Sequence, residues 1–424
     1  MRVARYLCEL AGGAVSRRER RLLAAAIVLG LAARIAYVLA TRHYALAGDE
    51  VEYDSEGWLI AQGHFFYTYL PYGILTHGAW KPPGYPLWIG MWYALAGHHP
   101  LVVRLAQVPF GAITIALSWI LARRLFGVRV ATAAAFVVAL YPLAFQYEEL
   151  LYSESLATPL TIVVIIAIFT GPPTRRRAIV CGLLLGVSLL VRSSDVFLLA
   201  GVLVAWGLAV GWRRGIGLTA LCTLVAALVV APWTVRNEVV LHGFVPVAID
   251  DAALYGTFNA QSAHDPTYPY AWRDVPTGYA DLFNPKHPLS ELELHSKLLH
   301  RSFAYIDAHP TSLLGAFFWN GLSRLWDVRR RSRALNEVSF EGRSRLLTNV
   351  GLDIYDVLLP LALIGLWRAR RRRALVLGVL AIALGASIVF TSDSGTRYRA
   401  PLEPLIAVLA CAGALGARAP SRPA

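Results

Sequence analysis

The sequence predicts an all-α polytopic membrane protein, and three observations carry that prediction. Of its 424 residues, 56% are hydrophobic and only 16% are charged, a balance foreign to soluble domains. A spanning helix takes about 20 mostly apolar residues, and about ten such runs follow one another along the chain. Between the runs, arginines gather on alternate loops, which is how orientation in a bilayer is encoded. Residues 1–424 are therefore expected to form a single membrane domain with about 10–12 transmembrane helices.

The first run, 22–41, follows Arg17, Arg18, Arg20 and Arg21. Ala45-Leu46-Ala47 resembles a signal-peptidase site, but the run is longer than a signal core and many spans follow, so an uncleaved first helix is expected. Further spans are expected at 101–125, 129–147, 153–170, 176–193, 195–211, 215–235, 353–368, 373–391 and 399–417. Two shorter runs, 83–97 and 311–327, are aromatic-rich and flanked by proline, as interfacial helices are. An amphipathic helix is expected at 289–308, after the loop-rich stretch AHDPTYPYAWRDVP.

With the N-terminus inside, one side receives Arg17–Arg21, Arg123 and Arg124 with Arg129, Arg175–Arg177, Arg213 and Arg214, Arg368–Arg373, and Arg418 and Arg422. Both termini are then cytoplasmic. Counting 311–327 as a span would move Arg368–Arg373 outside, which is why it reads as interfacial. Arg329–Arg333 falls outside against the bias, in a long loop where the rule is weak. The opposite side holds a first extracytoplasmic loop, 42–100, with its interfacial helices, and a second insert, 236–352.

The net charge of +13 sits in short loops rather than on a basic face, so nucleic acid is not an expected partner. Cys8, Cys181, Cys222 and Cys411 show no pairing or ligand spacing, which excludes a disulfide framework and a thiolate metal site.

The chemistry-bearing residues fall on the extracytoplasmic side. GDEVEYD at 48–54 packs Asp49, Glu50, Glu52 and Asp54 together, with Glu56 close behind. In a helix starting near Asp49, positions 49, 52 and 56 share a face and repel, so cations are expected to meet them. Lys81 lies in WKPPGYP; Glu148, Glu149, Tyr152, Ser153 and Glu154 form one turn; Arg192 and Asp195 form the next. Arg236 and Asn237 end PWTVRN, and Asp393, Arg397 and Tyr398 occupy the last turn. Singly, each has an ordinary reading: a solvated acid, a snorkelling Lys81 or Arg236, Pro82-Pro83 as a helix boundary, His98-His99 as a loop. Together they bring a base for an acceptor hydroxyl and cations for a phosphate to one membrane face. The rival is a polytopic transporter or lipid flippase, which would carry mid-membrane charges and repeated halves. The expected span centres are almost free of charge, and no repeat is present.

In chain order, GDEVEY, WKPPGYPLW, YSESL, PWTVRN and RYRAPLEP resemble the bacterial relatives of the dolichyl-phosphate-mannose protein mannosyltransferases. These are glycosyltransferases of the GT-C fold, a class that includes the lipid A aminoarabinose transferases. The resemblance runs nearly the whole chain, loosely over 245–345. It implies a polyprenyl-phosphate-linked sugar donor and transfer to a lipid, glycan or protein acceptor at the extracytoplasmic face of the bacterial inner membrane. It implies Asp49 as catalytic base or acceptor-orienting group and Glu154 as a second acid. Lys81, Arg236 and Arg397, joined by the external Arg192, would serve the donor phosphate, with Tyr398 packed beside it. Glu50, Glu52, Tyr53 and Tyr152 would be acceptor-side or auxiliary groups. No cofactor is demanded, although some members use a divalent ion and Asp49 with Glu154 could hold one. Two departures stand out. The aminoarabinose transferases carry an arginine where this chain has Glu52, and an acid where it has Trp80, so transfer to lipid A is not expected. The second insert is also too small for the lumenal module of the mannosyltransferase proper.

Overall fold

The computed structural model describes residues 14–249, 254–337 and 343–416; Cys8, Arg418 and Arg422 lie outside them. Each of the ten apolar runs is largely helical over its described residues, the 129–147 run being broken at Tyr141. Helix α1 (Arg17–Ala40) opens on a capping box between Ser16 and Glu19. It is followed by α2 (Asp49–Ala61), α3 (Gly84–Ala96), α4 (Pro100–Phe126), α5 (Val128–Leu140), α6 (Glu154–Phe169) and α7 (Arg175–Val191). Then come α8 (Leu198–Val210), α9 (Trp212–Leu241), α10 (Glu291–Ala308), α11 (Arg345–Arg368), α12 (Arg373–Val389) and α13 (Glu403–Leu415). Arg17–Ala40, Pro100–Phe126, Ser193–Val210, Trp212–Leu241, Arg345–Arg368 and Thr396–Leu415 are long and apolar enough to cross a membrane, and α5, α6 and α12 are shorter apolar helices. The chain is a membrane protein.

The proline-flanked runs form short helices. Helix α3 has 13 residues, less than the ~20 a span requires. The 311–327 run divides into Thr311–Ala316 and a π-helical turn, Phe317–Arg324. Outside the all-α pattern is a hairpin that the sequence did not announce, β1 (Tyr67–Tyr69) against β2 (Leu75–His77), antiparallel with Tyr67 opposite His77. Helix α10 starts on a Ser290–Glu293 capping box and buries Leu294 and Leu298 against Tyr255, Tyr279 and Leu282.

Helix α13 is the central post, buried all round from Glu403 to Gly413, as an evenly apolar helix should be. Small residues let α11 meet it backbone to backbone. A Cβ added at Gly413 would lie 1.9 Å from the Leu361 carbonyl oxygen, and one at Gly365 2.1 Å from that of Leu409.

Buried charge corrects one expectation. Arg34, inside the first span, is fully buried and donates to Glu148 Oε2 from Nη2 at 2.8 Å and from Nε at 3.1 Å, with Glu149 Oε1 3.5 Å away. Glu148 and Glu149 are thus not solvated turn residues. They fold inward because a charge in hydrocarbon is tolerated only when paired. The basic string that broke the arginine pattern is partly paired: Arg329 pairs with Asp327 and Glu337, and Arg331 with Asp353 and Asp356.

Candidate active site

A cavity of about 310 Å³ lies where α2, the 153–154 turn, the 191–196 turn and the 389–398 connection meet. Gly48 adopts φ 58°, a left-handed conformation that glycine alone takes freely. This turn aims the chain so that Asp49 opens α2. Asp49, Glu50 and Glu52 then lie in the first helical turn, where the helix dipole favours negative charge.

Asp49 lines the cavity and is held on both oxygens. Arg397 Nη2 donates to Oδ2 at 2.6 Å, and Lys81 Nζ lies 3.5 Å from Oδ1. Burial acts to raise the Asp49 pKa, but Arg397 and Lys81 outweigh it and hold the carboxyl well below the usual carboxylate range. Lys81 is itself buried, 2.8 Å from Glu52 Oε2 and 5.5 Å from the centre of the Tyr53 ring. It is not among the residues lining the cavity and sits behind the two acids. The repulsion expected along this face of α2 is therefore met by Lys81 and Arg397.

Glu154, at the start of α6, bridges two arginines on one oxygen: Arg192 Nη1 at 3.2 Å and Arg397 Nε at 3.6 Å. Arg192 also donates to the Tyr398 carbonyl at 3.0 Å. The Arg397 guanidinium lies over the rings of Tyr152 and Tyr398, at 4.5 and 4.8 Å. The Tyr398 hydroxyl donates to Asp393. Asp49, Glu154, Arg192, Arg397, Tyr398, Glu52 and Tyr53 thus surround one space, with Lys81 and Tyr152 in direct support.

Two residues go elsewhere. Arg236 lies outside this cavity. Its guanidinium donates to the carbonyls of Gly78 at 2.7 Å and Phe66 at 3.1 Å and stacks on Trp233, so it braces the hairpin. Glu50 is fully buried and turned inward, accepting from the Tyr44 hydroxyl and from the Leu151 N–H at 2.9 Å. Burial pushes Glu50 up to about 7, against the pull of these hydrogen bonds.

Other participants were not singled out from sequence. Trp272 and Asp274 bring the second insert to the cavity rim, beside Ser193, Ser194 and Phe390. The two departures noted in the sequence touch each other: Trp80 Nε1 donates to Glu52 Oε2 at 3.0 Å. Arg399, two residues from Arg397, points the other way. Fully buried, it donates to Glu403 Oε1 at 2.7 Å and to the Leu325 carbonyl at 2.6 Å. It thereby pins the connection that presents Arg397.

A divalent ion does not fit between Asp49 and Glu154. Arg397 already links them, and both Asp49 oxygens face cations. No cluster of three His, Cys, Asp or Glu side chains suited to a metal occurs among the described residues.

A family model described as dolichyl-phosphate-mannose-protein mannosyltransferase matches residues 80–235, less than half of the chain. No curated protein matches in sequence. The archaeal oligosaccharyltransferase AglB from Archaeoglobus fulgidus, solved with an inhibitory peptide and a dolichol-phosphate, is similar in structure. It has 15% identity and a TM-score of 0.51, over 93% of this chain and 50% of that one. The apo form of an oligosaccharyltransferase from the same organism gives 16% identity and a TM-score of 0.51 over 92% and 50%. ArnT from Cupriavidus metallidurans in the apo state gives 17% identity and a TM-score of 0.41 over 86% and 76%. The chain thus has the GT-C fold and spans about half the length of the oligosaccharyltransferases.

Proposed function

We propose that this protein is a membrane glycosyltransferase that moves a sugar from a polyprenyl-phosphate donor to an acceptor hydroxyl or amine, with inversion at the anomeric carbon. The observation that carries the reading is Asp49, ionised at a cavity wall between Lys81 and Arg397, with Arg192 and Glu154 completing the ring of charge. The partial family match and the shared fold support it. The arginine pattern favours both termini in the cytoplasm and the cavity on the extracytoplasmic face of a bacterial inner membrane.

The acceptor O–H would hydrogen-bond to Asp49 and attack the anomeric carbon from the face opposite the phosphate. As the new C–O bond forms, the bond from carbon to phosphate oxygen breaks, and its electron pair stays on the lipid phosphate. Arg397 and Arg192 take up that charge, a preorganised contribution of about 3 kcal/mol per donor. So depressed a carboxyl is a weak base. Asp49 therefore orients the acceptor first and takes its proton late, when the oxygen has become acidic through bond formation. Lys81 keeps Asp49 ionised and fixed.

The test is to give purified protein polyprenyl-phosphate sugars and measure release of polyprenyl phosphate. Release that depends on the protein is expected. If no donor is cleaved while proteoliposomes take up solute, the transporter reading replaces this one.

A further inference from the structure

A second cavity, of about 350 Å³, adjoins the first and shares Glu52, Trp80 and Asp274 with it. It lies between α2, the β-hairpin and α10. Its size suits a small-molecule or side-chain guest. Much of its wall is apolar, including Leu70, Tyr255, Phe283 and Leu298. Its acids are Glu52, Asp274 and Glu291, beside His295 and the phenols of Tyr69 and Tyr255, and among the described residues no lysine or arginine lines it.

Glu291 is the informative member. It is 5% exposed, and its Oε2 accepts the Ala79 N–H at 3.0 Å, while Oε1 has no hydrogen-bond partner among the described residues. A buried acceptor oxygen without a donor is costly, and a donor supplied by a guest would satisfy it. The wall between the cavities is the Trp80–Glu52 hydrogen bond, one helical turn from Asp49. A guest seated in the second cavity that reaches past this wall arrives at Asp49.

We infer that the second cavity is the acceptor chamber, and that it admits a neutral or cationic hydrogen-bond donor, a hydroxyl or an amine, carried on an apolar body, while refusing anionic guests. The inference rests on the glycosyltransferase reading of the first cavity. The division of labour follows the arginines. The leaving phosphate belongs to the side lined by Arg192 and Arg397, and the acceptor to the side where Glu291 Oε1 lacks a donor among the described residues.

The experiment uses the full chain in lipid nanodiscs and three probes with a common aromatic body: 2-phenylethylamine, 2-phenylethanol and 3-phenylpropionate. Binding is followed by ligand-observed NMR at pH 8. The amine and the alcohol bind, and the propionate binds at least about tenfold more weakly because like charges meet. Ser55→Trp, which fills the second cavity only, abolishes binding of both. It leaves hydrolysis of the polyprenyl-phosphate sugar by water within about twofold of wild type, since Ser55 does not line the first cavity. Glu291→Gln, which keeps an acceptor for the Ala79 N–H, removes the preference for amine over propionate and retains the alcohol. Equal binding of the propionate by wild type overturns the inference, as does undiminished binding of amine and alcohol by both variants. Absence of any donor cleavage by wild type instead defeats the glycosyltransferase reading, and the binding results identify that case separately.

Discussion

The two cavities flanking α2 are similar in size and share a wall, yet they differ in charge. The first has five acids and two arginines along its wall, with Lys81 behind, and Asp49, Glu154, Arg192 and Arg397 are tied together by ion pairs. Among the described residues, the second is lined by acids and by no lysine or arginine, and its most buried acid, Glu291, leaves one oxygen without a hydrogen bond. A paired network is preorganised for charge that appears during a reaction. An unpaired acceptor is a binding group waiting for its donor. The shared wall is built from Glu52 and Trp80, joined by the hydrogen bond from the indole to the carboxylate.

The sharpest way to break the contrast is Arg397→Ala. It removes the cation shared by Asp49 and Glu154, and lipid-phosphate release should fall on the order of 10³-fold in a single-turnover assay. A loss under tenfold would leave Arg397 without its proposed task. Lys81→Met should cost about 10²-fold and also move the pH profile. In wild type the Asp49 carboxyl titrates below its ordinary value of 3.8. Without Lys81 it is less depressed, so the acid limb of the rate profile moves up in pH. An unmoved limb would mean that Lys81 does not tune Asp49.

Glu291 offers a stability test of the second cavity. Burial pushes its carboxyl up from 4.5 to about 7, with the Ala79 N–H and Arg236 pulling the other way; His295, Glu52 and Asp274 face the same space. Between these values the unfolded chain has lost the proton that the folded chain keeps, so stability falls as pH rises from 4.5 to about 7. Glu291→Gln should remove a fall of about 3 kcal/mol, read from thermal melts across that window. Identical pH slopes in the two proteins would place Glu291 in water. The smallest effect is expected from Trp80→Phe. It deletes the hydrogen bond to Glu52 and should raise the ratio of donor hydrolysis to transfer about threefold, measured by product analysis. An unchanged ratio would mean that the wall does not separate the substrates.

Much of the membrane architecture could be read from sequence, because a bilayer imposes one length and one composition on whatever crosses it. Long-range pairing could not be read. Arg34 looks like an isolated impurity in an apolar run, since its partners Glu148 and Glu149 lie more than a hundred positions away. Arg397 and Arg399 share one motif, and only the tight Thr396–Leu402 turn sends one to the cavity and the other to the core. Arg236 read as a phosphate ligand because nothing in PWTVRN announces the hairpin carbonyls that occupy it. The second cavity was invisible because its walls come from α2, an unanticipated hairpin and a loosely patterned insert.

The most direct test of the central claim is the single-turnover release of polyprenyl phosphate by wild type and by Asp49→Asn, with Arg236→Lys as a control outside the cavity. Asn keeps the shape but cannot accept the proton or balance Arg397 and Lys81. The account predicts a loss on the order of 10³-fold for Asp49→Asn and a near-wild-type rate for the control. Equal release by wild type and Asp49→Asn would contradict it.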